Sequence, residues 1–317
     1  MAEPRYIQND MPLRELPAPA SALLQTALEE FMQANPPKST FESGELFGLF
    51  GGLTGLAYML LQLSELHPNV TVKGKGLRQW AQLYLGNDDR SEVEIVPSAG
   101  LFNEKLSYDA VRACLTGKVE DVKTFLSNFS EFTKELPAGE EDEFPSEILY
   151  GRAGGLYLLR AVRHWVPAYR EELNEEMERV AEKIMEANGR GQDSWIWNKA
   201  RFTGAAHGDI GIITQLVLCL PALAAELEPQ VRKLLSMQSP NGNWPKYTDK
   251  EETAPDVVQF CHGSPGFIYS LRALRSFYPH LQEEMDIAIV KGEENIWKEG
   301  LIRKAPALCH GIPGNAL

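Results

Sequence analysis

Cys261-His262-Gly263-Ser264-Pro265-Gly266 returns near the C-terminus as Cys309-His310-Gly311-Ile312-Pro313-Gly314, and His207-Gly208-Asp209-Ile210-Gly211 precedes both. Three His-Gly-x-x-Gly copies in one chain point to a repeated helical unit. Such a repeat carries two thiols and several imidazoles toward a common axis. The natural chemical use of that set is one metal ion, and zinc is the first expectation.

Outward from these stretches, the second glycine of each G-x-x-G falls at 55, at 100 in a degenerate form, and at 154, 211, 266 and 314. The intervals run from 45 to 57 residues. Each holds an apolar run entered through glycine and an amphipathic segment. Leu56 to Leu63, Leu156 to Trp165, Ile212 to Leu220 and Phe267 to Phe277 are the apolar runs. Leu77 to Leu85 and residues 119–135, 168–188, 229–237 and 281–297 are amphipathic; Leu173, Met177, Val180 and Ile184 mark one buried stripe. Helical hairpins of this kind stack with their apolar helices inside, as an open solenoid or a closed α/α toroid. Strand signals are scarce, so the predicted fold class is all-α.

Residues 1–19 are Pro-rich and aperiodic and read as an arm before a domain over 20–317. Ser21 is expected to cap a helix running to about Asn35, ended by Pro36 and Pro37. Pro97-Ser98-Ala99-Gly100 introduces a helix through Leu101 to Leu115, and Pro137 to Pro145 reads as a solvated loop.

The chain has 317 residues, is 44% hydrophobic and carries a net charge of -13. It can bury a large core, and its acidity argues against nucleic acid and against electrostatic docking on anionic lipid. Met1 to Asp10 is polar and reads as no secretory signal. The most apolar stretch, Gly211 to Ala225, is too short to span a bilayer and contains Pro221. A cytoplasmic protein is expected, with peripheral association at the plasma membrane left open. In that reducing setting Cys114, Cys219, Cys261 and Cys309 read as thiols or ligands rather than disulfides. Cys114 and Cys219 lie on apolar faces and read as core.

The repeated G-x-x-G helix starts, Gly204-Ala205-Ala206-His207-Gly208 and the two Cys-His-Gly stretches resemble lanthionine synthetase C-like proteins. Tyr150-Gly151-Arg152-Ala153-Gly154, the Ser239 to Pro245 turn and Lys304 are similar to the eukaryotic branch. The resemblance covers roughly residues 20 to 317. It implies an α/α toroid of seven hairpins, of which six are recognisable, and one zinc ion per chain held by Cys261, Cys309 and His310. Three protein ligands leave a fourth position for water or a substrate thiol. The implied chemistry is addition of a thiol, glutathione in the eukaryotic branch, to a dehydroamino acid in a peptide or protein. His207 matches the histidine that serves as the acid. Glu147 stands where the bacterial cyclases have an aspartate. Lys304 and Arg303 suit a glutathione carboxylate or the enolate, and Arg152 a substrate contact. Val257 and Val258 occupy the region of the cyclases' arginine. A seventh hairpin is not visible, so apolar surface is expected to be exposed beside the last repeat, at roughly 25 cal/mol per Å².

Blander roles stand beside these. The cysteines and His310 could be core residues, His262 a structural imidazole bonded to nearby backbone, and Trp195 and Trp197 packing at a rim. Two other functions compete with the thiol-adding enzyme. One is a scaffold that binds zinc and glutathione without turnover. The other is a glycosidase-like enzyme using Glu147 and Asp209, in which Cys-His-Gly would have no part.

Overall fold

The computed structural model describes residues 4–10, 12, 14–38, 41, 46–86, 98–133, 145–249 and 257–316. The described chain is helical, with α1 (Ala20–Ala34), α2 (Leu53–Leu66), α3 (Leu77–Leu85), α4 (Glu104–Thr116), α5 (Val119–Phe132) and α6 (Arg152–Trp165). There follow α7 (Arg170–Glu186), α8 (Asp209–Cys219), α9 (Ala224–Ser236), α10 (Ser264–Leu274), α11 (Gln282–Glu299) and α12 (Ile312–Ala316). The strands are two-residue ribbons. β1 (Leu46–Phe47) pairs antiparallel with β2 (Gly51–Gly52), and β3 (Thr71–Val72) with β4 (Lys75–Gly76).

The chain divides into two compact units. One comprises Met1–Asp10, Leu136–Tyr157 and Asn174–Leu317; the other comprises Met11–Glu135 and Leu158–Leu173. In the second, α2 packs on α3 and α4 on α5. Leu60, Leu61, Tyr84, Leu106, Val111, Phe125 and Phe129 are buried there. Asn103 starts α4 by accepting from the Leu106 amide at 2.9 Å. The buried Glu104 carboxylate then accepts from Gly48 N at 2.7 Å and Thr54 Oγ1 at 2.6 Å, joining the start of α4 to the start of α2.

In the first unit, α8 is buried along almost its whole length and packs against α9 and α10. α10 pairs with α11, and Trp244 stacks on Phe267 with centroids 4.4 Å apart. Burying each such large apolar side chain is worth about 1.5–3 kcal/mol. A cavity of about 440 Å³ opens beside α10, α11 and α12, lined by Ile268, Tyr269, Trp297 and Ile312 among others.

The repeat has a steric origin. A Cβ at Gly55, Gly211, Gly266 or Gly314 would collide with the backbone carbonyl of Leu49, Ala205, Phe260 or Leu308 respectively. Each carbonyl lies six residues before its glycine. In these four copies the entering loop folds back across the first turn of its own helix, and only hydrogen fits between.

Several boundaries differ from expectation. Ser21 does not cap α1: the cap position is Pro19, with no side-chain bond, and Ser21 lies inside the first turn. α4 begins at Glu104 rather than Leu101, because Asn103 supplies the cap. α9 begins at Ala224 and takes Pro229 into its interior, where the amphipathic pattern alone suggested a start. Pro97 and residues 137–144 lie outside the described residues. Among the described residues no helix is long and apolar enough to cross a membrane.

Candidate functional site

Three loops of the first unit, each preceding a helix, meet at the site. Cys261 N donates to Cys309 O at 3.0 Å, and Ala206 N reaches Cys261 O at 3.5 Å. Gly204 permits the second approach, since a Cβ there would strike the Cys261 carbonyl. The duplicated Cys-His-Gly loops are thus hydrogen-bonded neighbours, and the Gly-Ala-Ala-His-Gly loop lies against the first of them.

The result is a compact donor set. Ligand atoms of Cys261, Cys309 and His310 all lie within 4.8 Å of one another, which makes this a group that could hold a metal ion. Bonds of about 2.0 Å to nitrogen and 2.3 Å to sulfur in a tetrahedral site place ligand atoms just under about 4 Å apart, so a small inward shift of the side chains would close the set on an ion. Both cysteines are buried and His310 is exposed, so the cluster is reachable from one side. Without a metal, the two thiols act on each other. The Cys309 thiol is drawn down to about 6, first by its hydrogen bond with Cys261 and further by His310 and His207. The Cys261 thiol is pushed up by that same bond and by burial, and its Sγ donates to Gln259 Oε1 at 3.5 Å. A sulfur held as thiolate is the form that binds soft metals and attacks electrophiles.

Beside this cluster stands an acid–base pair. His207 Nδ1 lies 2.6 Å from Glu147 Oε2. The Glu147 side chain is fully buried, and its carboxylate also accepts from the amides of Leu149, at 3.0 Å, and Tyr150. With three donors converging on it, the carboxylate fixes the imidazole tautomer: Nδ1 carries the hydrogen and donates to it, which makes Nε2 the acceptor nitrogen of the ring. Ile148 N, donating to Ala206 O at 3.1 Å, ties the two loops together.

Aromatic rings enclose the pair. Trp197 lies flat on His207, centroids 3.9 Å apart and planes within 2°. Phe202 and His262 sit at 6.1 and 6.0 Å from the same imidazole. His262 does not bond to nearby backbone as expected. Among the described residues its buried Nδ1 has no hydrogen-bond partner, its ring stacks on Phe202, and burial lowers its pKa to about 3, so it is neutral.

Lys304 and Arg303 are exposed, and the Lys304 charge is felt at Cys261 and His262. Arg152 is half-buried at the start of α6, where burial and Arg179 both disfavour its charge. Asp209, at the first turn of α8, is buried and accepts from Trp195 N at 3.1 Å. Trp195 packs inside and donates from Nε1 to Ile184 O, whereas Trp197 belongs to the site. Both had the same sequence signal, a tryptophan in a polar loop, so only the tertiary arrangement separates them. Cys114 and Cys219 are buried thiols on α4 and α8.

The zebrafish (Danio rerio) protein named glutathione S-transferase LANCL1 is 32% identical over 191 residues, covering 54% of this chain and 45% of the relative. The chain thus matches less than half the length of that curated relative. Two solved structures, titled as possible members of the GH105 family, cover nearly the whole chain. That from Klebsiella pneumoniae has a TM-score of 0.47 at 16% identity, covering 98% of this chain and 92% of its own. That from Salmonella enterica has a TM-score of 0.44 at 15% identity, covering 97% and 91%. The family described as lanthionine synthetase C-like protein matches residues 47–317. With that match across most of its length, the chain belongs to the lanthionine synthetase C-like family, an all-α protein of the α/α-toroid class.

Proposed function

We propose that this protein is a zinc-dependent enzyme that adds a thiol, glutathione first, to dehydroamino acids in peptides or proteins. The observation that carries the reading is the meeting of Cys261, Cys309 and His310 within 4.8 Å, beside the Glu147–His207 pair. The relative named as a glutathione S-transferase favours glutathione as the thiol. Zinc, when bound, would hold the incoming sulfur as a thiolate near neutral pH.

The chain's own residues supply the rest. Sulfur attacks the Cβ of the acceptor, the carbon–carbon π pair moves toward the carbonyl, and an enolate forms at Cα. His207 delivers a proton from Nε2 to that carbon, and Glu147 holds Nδ1–H throughout. The thiol's original proton leaves to solvent and returns to His207, so the sum is RS–H across one double bond. Lys304 and Arg303 offer cations for the glutathione carboxylates or the enolate oxygen. Arg152, half-buried at the start of α6, is kept as a contact for the acceptor peptide. Residues 20–317 form the working domain after the arm of 1–19, in a cytoplasmic protein.

Incubation of zinc-loaded protein with glutathione and a dehydroalanine peptide tests this. An adduct seen by mass, absent with Cys309→Ala and His207→Ala, supports the reading. Zinc binding with no adduct would instead identify a scaffold.

A further inference from the structure

We infer that Trp197 is a positioning residue for His207, a flat wall that fixes the plane from which the imidazole passes its proton; this rests on the reading of His207 as the proton donor. The contact is closer than ordinary packing requires, with ring centroids 3.9 Å apart and planes 2° from parallel. Offset stacking of two rings restricts rotation about the Cβ–Cγ bond, the one freedom that the Nδ1 hydrogen bond leaves loosely held. The support is circular in the chain. Glu147 holds His207, His207 stacks on Trp197, and Trp197 lies parallel to Tyr150, at 6.4 Å. The Tyr150 amide then donates back to Glu147. Four residues drawn from two loops therefore orient one another.

The loop that presents Trp197 is built for the task. Trp197 N donates to Ala200 O at 2.9 Å and Ala200 N to Trp197 O at 3.0 Å, closing a two-residue turn. Its central residues, Asn198 and Lys199, have φ of 46° and 59°. Both are left-handed, the geometry that a tight two-residue hairpin turn requires at both central positions. The turn is pinned at its base. Asp193 pairs with Arg201, Trp195 N bonds to Asp209 Oδ1, and Trp195 Nε1 bonds to Ile184 O at 2.7 Å. Trp195 fills the core, with 2% of its surface exposed. Trp197 is only half-buried, so filling space does not account for its placement.

The test uses full-length protein with isotope-labelled histidine, compared with Trp197→Leu, which keeps apolar volume but has no ring face, and Trp197→Phe, which restores one. His207→Ala assigns the His207 signals among the six histidines. In the wild type, the His207 carbon-bound ring protons are shifted upfield by the indole, and the Nδ1 proton exchanges slowly enough to be seen. W197L is expected to lose both signatures and W197F to keep the Nδ1 proton. In turnover with glutathione, W197L is expected to lower kcat on the order of 10-fold, as misorientation does, with KM for glutathione unchanged within about 2-fold. W197F should recover most of the loss. A W197L protein that keeps both signatures and full kcat, while His207→Ala is inactive, overturns the inference and leaves the proton-donor reading standing. Full turnover in His207→Ala sinks the proton-donor reading, and with it the purpose of the stack. If the wild type shows no turnover, the proton-donor reading falls, and the spectra alone decide whether the indole fixes the ring.

Discussion

Replacing Glu147 with glutamine changes one atom's chemistry at a fully buried position, and the consequence follows from a count of donors. The carboxylate meets three: His207 Nδ1 at 2.6 Å, Leu149 N at 3.0 Å and Tyr150 N. Glutamine offers one acceptor oxygen and brings an NH₂ group. However the amide is turned, an N–H faces another N–H and at least one donor loses its partner. A buried polar group without a partner costs about 1–3 kcal/mol, and hydrogen bonds to charged groups are worth about 1.5–3 kcal/mol. The variant should therefore lose about 2–4 kcal/mol. At roughly 2–4 °C per kcal/mol for a chain somewhat shorter than this one, its melting temperature should fall by about 4–16 °C. If the amide oxygen takes the place of Oε1, on Tyr150 N, the NH₂ group takes the place of Oε2 and faces both Leu149 N and His207 Nδ1; the imidazole then loses its fixed tautomer, and turnover should fall on the order of 100-fold, the low end for a general acid. Thermal melts followed by circular dichroism and adduct mass spectrometry read the two effects separately. A Glu147→Gln protein that melts within a degree of the wild type and keeps its rate would refute the reasoning, because the carboxylate would then be neither holding the loop nor orienting His207.

Asp209 gives a pH prediction. Burial raises its pKa from 3.8 to about 7 in the folded state. Between those values the folded chain binds the extra proton, so stability falls as pH rises from about 4 to 7 and stays reduced above it. Three units at 1.36 kcal/mol each set a ceiling of about 4 kcal/mol on the penalty. Asp209→Asn, which can still accept from Trp195 N, should therefore stabilise at pH 8 and do so much less at pH 5; equal effects at both would contradict this. The metal-free protein should react with iodoacetamide first at Cys309, drawn to about 6, and not at Cys114, whose thiol burial pushes far up. Peptide mapping after brief labelling checks the order, and labelling of Cys114 ahead of Cys309 would be the contrary result.

What the sequence reveals and conceals has a physical division. The hairpin repeat is legible because these helix entries need hydrogen where the chain crosses its own carbonyl, so Gly211, Gly266 and Gly314 follow one another at similar intervals and Gly55 marks an earlier copy. The donor cluster is legible for the same reason: Cys261 and Cys309 occupy equivalent places in the repeat, and their loops become hydrogen-bonded neighbours. Pairings outside the repeat are not. Glu147 and His207 are 60 residues apart, and nothing in their spacing says that one carboxylate oxygen meets one ring nitrogen. Asn103 as a cap, Pro229 inside a helix and the stack of Trp197 on His207 depend on local geometry that residue type leaves undecided. His262 occupies the place equivalent to His310, yet it is half-buried against Phe202 rather than joined to the cluster.

Metal content is the direct measurement. Protein purified without chelator and analysed by elemental mass spectrometry should carry one zinc per chain, and Cys261→Ala, folded by circular dichroism, should carry almost none. A folded wild type that binds no zinc when supplied with it, or a Cys261→Ala variant that binds it as tightly, would contradict the account.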